Sequence, residues 1–191
     1  MKFSLIFLFI FMGGCIGTRP IQHTPDNAEL KSMVVKDQEI RENDTLDWEP
    51  IDKTHREQVM WLLANGKVIT SEDKLNAALL LQHTALTFCN GELKSISPEN
   101  YLMAHQLSKS AFESGAKNAA YMTAVTYDRY LLYTTGMQKF GTQRVLDDIS
   151  KEEVWAPIDP QTTDAERTKY NVPPLNELLK KYKMKAFKKT Q

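Results

Sequence analysis

The sequence predicts a mainly α fold, a compact bundle of about six helices with one short β-hairpin. Three observations carry that prediction. Apolar residues recur at helical spacing in successive stretches from Leu30 to Leu179. Helix starters and stoppers bracket those stretches: Thr24-Pro25, Pro50, Thr70 with Asp73, Ser97-Pro98, Gly115, Gly136 and Pro173-Pro174. The helical period is lost over residues 137–162, where Gly141, Pro157 and Pro160 fall and strand-forming runs take over.

The first helix starts at Thr24, a good N-cap, with Pro25 in the first turn where its missing N–H costs nothing. Leu30, Met33, Val34 and Ile40 are its apolar stripe. Residues 43–49 are a polar connection. Pro50 opens a second helix carrying Ile51, Val59, Leu62 and Leu63, and Asn65-Gly66 ends it. Val68 and Ile69 continue in extended form. Thr70 and Asp73 make a capping box for a third helix, which is expected to run to Cys89. That helix is apolar on most sides from Leu75 to Phe88, which puts it at the centre of the core. Ser97-Pro98 opens a fourth helix closed by Gly115, and a fifth runs from Ala116 to Thr135, closed by Gly136. Ala104, Ala111, Ala119, Ala120 and Ala124 let these two helices approach closely, as in the helical hairpins of tetratricopeptide or Sel1-type repeats. No second copy exists to build a solenoid. Thr142–Leu146 and Glu153–Ile158 are the strands of the hairpin. One or two helical turns follow over 163–170, and Pro173-Pro174 opens a last amphipathic helix with Leu175, Leu178, Leu179 and Tyr182.

Ahead of the bundle, Lys2 precedes an apolar run from Phe3 to Met12. The run is shorter than the ~20 residues of a spanning helix and has the length of a signal-peptide core. Met12-Gly13-Gly14-Cys15 resembles the lipobox, where a signal is cut and the new terminal cysteine is acylated. Each buried lipid CH₂ contributes ~0.8 kcal/mol, so acyl chains on Cys15 would hold the protein at a membrane surface. The expected organisation is a lipoprotein signal peptide at 1–14, a tether at 15–23, one helical domain at 24–185 and a basic tail at 186–191. The expected location is extracytoplasmic, and Ile16 after the cysteine favours the outer over the inner membrane of a Gram-negative host.

The 24 basic and 24 acidic residues balance, so no nucleic-acid footprint is present. Only Cys15 and Cys89 exist, and a lipidated Cys15 leaves Cys89 without an intrachain partner. A disulfide framework is thereby excluded, and Cys89 reads as a small hydrophobe. H-E-x-x-H, C-x-x-C, G-x-S-x-G, Walker and G-x-G-x-x-G spacings are absent, so neither a dedicated metal site nor a cofactor is expected. His23, His55 and His105 are read as solvent-facing or helix-surface residues.

Polar residues at core positions are the remaining signal. Asp37 stands seven after Leu30, and Arg41, one turn on, can pair with it. His83, beside Gln82, follows Leu79 by four. Asp128 follows Ala124 by four, with Arg129 next to it. Burying an isolated charge costs several kcal/mol, so each group must be paired or hydrogen-bonded. Two arrangements satisfy that condition. Either the groups tie helices together, or Asp37, His83, Asp128 and Arg129 converge on a ligand.

The same positions carry a resemblance. Asp37-Gln38-x-x-Arg41, Gln82-His83, Asp128-Arg129, Gln138-Lys139-Phe140-Gly141-Thr142-Gln143, Pro157-Ile158-Asp159-Pro160, Arg167 and Pro174-Leu175 follow one another in this order. Together they resemble an uncharacterised bacterial family known only as a domain of unknown function, over Glu29 to Tyr182. The resemblance brings no activity. It implies one polar site made of Asp37, Gln38, Arg41, Gln82, His83, Asp128, Arg129, Gln138, Thr142 and Gln143. Gly141 would turn the chain so that Thr142 and Gln143 reach Asp128 and Arg129. The neutral Gln138 and Gln143 suit recognition of a polar ligand. The leading expectation is a membrane-anchored binding module for a small polar ligand or an envelope protein. The alternatives are a small hydrolase-like enzyme with His83 as base, oriented by Asp37 or Asp128, and a purely structural envelope lipoprotein.

Overall fold

The computed structural model describes residues 24–42, 48–84, 86–89, 92–146, 152–181 and 183. Among them are seven helices: α1 (Ala28–Arg41), α2 (Glu49–Ala64), α3 (Ser71–Gln82), α4 (Glu99–Glu113), α5 (Ala119–Thr135), α6 (Asp164–Lys169) and α7 (Leu175–Lys181). Four strands form two antiparallel pairs, β1 (Leu86–Cys89) with β2 (Glu92–Ser95) and β3 (Arg144–Leu146) with β4 (Glu153–Trp155). The expected signal peptide with Cys15, the tether to His23, Tyr182 and the basic tail lie outside the described residues. So does the side chain of Cys89. Among the described residues no helix is long and apolar enough to cross a membrane.

The fold is the expected helical bundle, with corrections at element ends. α1 is capped by Asn27 rather than Thr24: Asn27 Oδ1 accepts from the N–H groups of Glu29 and Leu30 at 3.0 and 3.2 Å. The choice is made by α3. The buried carboxylate of Asp73 closes its own capping box through the N–H groups of Ile69 and Thr70, both at 3.0 Å. It also accepts the N–H of Asn27 at 2.6 Å, so one side chain fixes the starts of two helices.

The larger correction concerns α3, which stops at Gln82 instead of continuing to Cys89. The carbonyls a longer helix would bond internally are captured from outside. Arg129 donates to Gln82 O at 2.6 Å, Arg56 to His83 O at 3.0 Å and the Tyr101 hydroxyl to Thr84 O at 3.0 Å. Residues 86–89 then turn into β1, in register from Leu86 opposite Ser95 to Cys89 opposite Glu92. The bundle therefore has one hairpin more than expected. The second pair, β3 with β4, sits inside the expected hairpin, with Arg144 opposite Trp155.

α3 occupies the centre. Leu30 of α1, Val59 and Leu62 of α2, Ala77, Ala78, Leu80 and Leu81 of α3 and Ala104 of α4 form one buried cluster. The small-residue seam between α4 and α5 is real: Ala104, Ala111, Ala119 and Ala124 are fully buried. The close approach lets Ser108 and Thr126 share a hydroxyl hydrogen bond of 2.8 Å between the two helices. Phe140, Val172 and Ala124 make a smaller cluster beneath the segment 137–143. Gly141 permits that segment: its φ is +86°, and an added Cβ would lie 2.9 Å from Leu178 Cδ1 and 3.0 Å from Ile158 Cδ1.

Candidate functional site

Helical spacing places Asp37 and Arg41 one turn apart on α1, both turned toward the end of α3. Arg41 Nη2 donates to Asp37 Oδ1 at 3.1 Å and to Asp52 Oδ1 of α2 at 2.5 Å. Gln38 Nε2 donates to Asp37 Oδ2 at 2.7 Å, so both oxygens of this fully buried carboxylate are used. His83, the residue that ends α3, brings Nδ1 to 2.9 Å from Asp37 Oδ1 and 3.2 Å from Arg41 Nε. One nitrogen cannot serve both neighbours. It donates to Asp37 in one neutral tautomer and accepts from Arg41 in the other, leaving Nε2 as acceptor or donor respectively. Nε2 has no hydrogen-bond partner among the described residues. His55 of α2 stands behind the pair, with Nδ1 4.0 Å from Asp37 Oδ1.

Two more guanidinium groups meet at the same helix end. Arg56, ion-paired with Glu49 at 2.8 Å, takes His83 O, and Arg129 takes Gln82 O. Cations gather here because the last carbonyls of a helix are unpaired and carry partial negative charge. Arg129 Nε also donates to Gln143 Oε1 at 3.2 Å. The side-chain oxygen of Gln82 is buried and has no hydrogen-bond partner among the described residues. Among the described residues, Arg129 is the one arginine with no carboxylate within ion-pair distance; Arg56, Arg144 and Arg167 each have one and Arg41 has two.

These contacts set the protonation states. Burial pushes Asp37 up, but hydrogen bonds and charge from His83 and Arg41 outweigh it and hold the carboxyl below the usual range. Burial dominates at Asp52 and raises it, against the pull of Arg41. Burial lowers His83, and Arg41 and Arg129 add to that against Asp37. The centre at neutral pH is thus a carboxylate beside a neutral imidazole, ringed by guanidinium groups.

Asp128 belongs to a different arrangement, which corrects the expectation of one shared site. Its Oδ1 accepts the N–H groups of Lys139 and Phe140, both at 2.7 Å. Its Oδ2 accepts the N–H and the hydroxyl of Thr142 at 2.9 and 2.8 Å. Gln138 is fully buried and stitches the same segment, donating to Gln143 O at 2.7 Å and Ala156 O at 2.9 Å and accepting Gln143 N–H at 2.7 Å. Arg167, fully buried, donates to Phe140 O. The hydrogen-bonding groups of Asp128, Gln138 and Thr142 are therefore engaged within this segment, by its backbone and by one another and Gln143. The reason is helical geometry: successive side chains leave α5 about 100° apart, so Asp128 and Arg129 face different neighbours. Gln143 joins the two arrangements, since its Nε2 donates to Val125 O and Thr142 Oγ1 while its Oε1 positions Arg129.

The structure therefore unites Asp37, Gln38, Arg41, Gln82, His83, Arg129 and Gln143. It adds Asp52, His55 and Arg56, which the sequence reading missed. Their signal was present, because residues 52, 55 and 56 lie on the α2 face that continues into Val59 and Leu62. His55 is not solvent-facing but buried, whereas His105 is partly exposed on α4 and stacks on Tyr127 with centroids 4.5 Å apart. Among the described residues no group of three or more His, Cys, Asp or Glu is placed to hold a metal ion. No family model, no curated protein and no solved structure matches this chain.

Two predictions follow from this geometry. Asp128→Asn turns one acceptor into an NH₂ facing backbone donors, and is expected to lower stability by about 2–4 kcal/mol in urea denaturation. The second concerns pH. Burial holds His55, His83 and His105 below their ordinary 6.5. As pH falls below 6.5 the unfolded chain takes up protons that the folded chain refuses, so stability is full above that pH and is lost below it. Asp52 and Asp128, raised by burial, oppose this only at pH values where they themselves bind protons. Denaturation midpoints are expected to drop between pH 7 and pH 5.5, with a loss of up to about 1.4 kcal/mol per histidine per pH unit. The drop is expected to shrink in His105→Gln.

Proposed function

We propose that this chain is a lipid-anchored envelope binding protein whose site, at the C-terminal end of α3, takes a small anionic ligand. With this goes membership of the uncharacterised family that its motifs resemble. The observation that supports the binding role is Arg129, half-buried, lowered by burial and without an ion-pair partner among the described residues. A desolvated guanidinium without a counter-charge is costly, and an incoming carboxylate or phosphate supplies one in bidentate geometry. His83 and Arg41 lie within electrostatic reach of it. A second reading, a hydrolase-like enzyme, is favoured by the Asp37–His83 contact of 2.9 Å, the pairing of an orienting carboxylate with a base. Asp37, not Asp128, is the carboxylate that fits this role.

Calorimetric titration with inorganic phosphate and with succinate tests the binding role. Saturable binding of one of them, weakened about tenfold or more by Arg129→Gln, is the expected result. No binding of either, or equal binding by the variant, would sink it. Turnover of a phosphate or carboxylate ester, lost in His83→Gln and retained in Arg129→Gln, would favour the enzyme instead. The anchor is tested separately: Cys15→Ala is expected to move the protein from the detergent phase to the aqueous phase in a partition assay. Continued partition into detergent would remove the lipid from the proposal.

A further inference from the structure

Away from the end of α3, a groove of about 490 Å³ opens between α4, α5 and α6. We propose that it is a second site, for a small molecule carrying a flat aromatic ring and a negative charge. Its volume lies within the range of about 300–1,000 Å³ typical of small-molecule sites.

The inner wall is a run of stacked and tilted rings. His105 stacks on Tyr127 at 4.5 Å, Tyr127 meets Phe140 at 6.3 Å, and Phe140 meets Tyr170 at 5.0 Å. Such a wall prefers the face or edge of another ring. The groove's charge is one-sided. Lys109, Lys139 and Lys169 line it against a single carboxylate, Glu166, and that carboxylate is committed to Lys139 at 2.8 Å. Lys109 and Lys169 have no ion pair among the described residues. Lys169 Nζ lies 5.4 Å from the centre of the Tyr170 ring, so a cation stands directly over the aromatic wall. An apolar guest gains nothing from the two exposed ammonium groups, and an aliphatic anion gains less from the aromatic wall than a flat ring does. A planar aromatic anion satisfies both. None of the groove's residues is among those at the end of α3, so the inference does not depend on the anion site proposed there.

The probe is 2-naphthoate, titrated into the full-length protein and followed by amide shifts in NMR, with 2-naphthamide and hexanoate as controls. Saturable shifts centred on the groove residues of α4, α5 and α6 are expected. Each control is expected to bind about tenfold more weakly or worse. The exposed pair Lys109→Gln and Lys169→Gln, made together in a chain whose thermal midpoint is unchanged, is expected to reduce naphthoate affinity to that of the amide. Arg129→Gln is expected to leave naphthoate binding as it was. Absence of saturation, equal binding of naphthamide, or shifts confined to residues around His83 and Arg129 would overturn the proposal.

Discussion

The arrangement of the bundle depends on how α3 is made to stop. Three successive carbonyls, those of Gln82, His83 and Thr84, are taken by Arg129 of α5, Arg56 of α2 and Tyr101 of α4. Each bond replaces one that a continuing helix would have made within itself. Each also ties a different helix to the central one. A hydrogen bond from a charged donor contributes about 1.5–3 kcal/mol, more than the neutral bond it displaces. Two guanidinium groups at one helix end, with Arg41 close by, need negative charge nearby. Asp37, Asp52 and Glu49 provide it for Arg41 and Arg56. Among the described residues the set closes one carboxylate short, at Arg129, and that shortfall is what the proposed anion-binding role rests on.

The segment after α5 solves a separate problem. It carries Gly141 and lacks regular structure, so its backbone N–H groups need partners. The buried carboxylate of Asp128 takes three of them, and the amide of Gln138 takes a fourth. Burial alone would raise the Asp128 carboxyl, and the backbone and hydroxyl donors pull it the other way. A carboxylate surrounded only by donors is a structural anchor, because any further ligand would have to displace one of them.

Much of this was legible in the sequence, within limits set by physics. Asp37 and Arg41 could be paired from their spacing, since i and i+4 residues face the same way on any helix. His83 and Asp128 could be assigned to the interior by phase. Phase says that a residue is inside, not which neighbour it meets, and so Asp128 and Arg129 were joined when α5 separates them. Asp52, His55 and Arg56 lie on the inward face of α2 by phase, but their contacts with Asp37, Arg41 and His83 come from α1 and the end of α3, which no local pattern reveals. The break after Gln82 had a local sign in Asn90-Gly91, a dipeptide favoured in two-residue hairpin connections, and β1 and β2 flank it. The apolar run from Leu86 to Phe88 fits a helix equally well. What decides against the helix is the capture of its carbonyls by side chains far away in sequence. The start of α1 shows the same thing on a smaller scale, where Asp73 selects Asn27 over Thr24.

The segment 137–143 lies between the end of α3 and the aromatic groove, and its construction bears on whether the two communicate. Phe140 lines the groove, while Gln143, three residues on, positions Arg129. A displacement of Phe140 could reach Gln143 only by moving the backbone between them. That backbone is held by Asp128 on both sides of Gly141 and by Arg167 at the Phe140 carbonyl. Gly141 itself is packed against Leu178 and Ile158, which closes the space into which the turn would swing. Transmitting a signal would require breaking charge-assisted hydrogen bonds in a buried setting, each costing more than the modest energy a weakly bound small ligand can supply. The same residues that bring the two regions together in sequence therefore insulate them from each other. If the groove and the helix end each take the ligand proposed for them, their occupancies are expected to be thermodynamically independent.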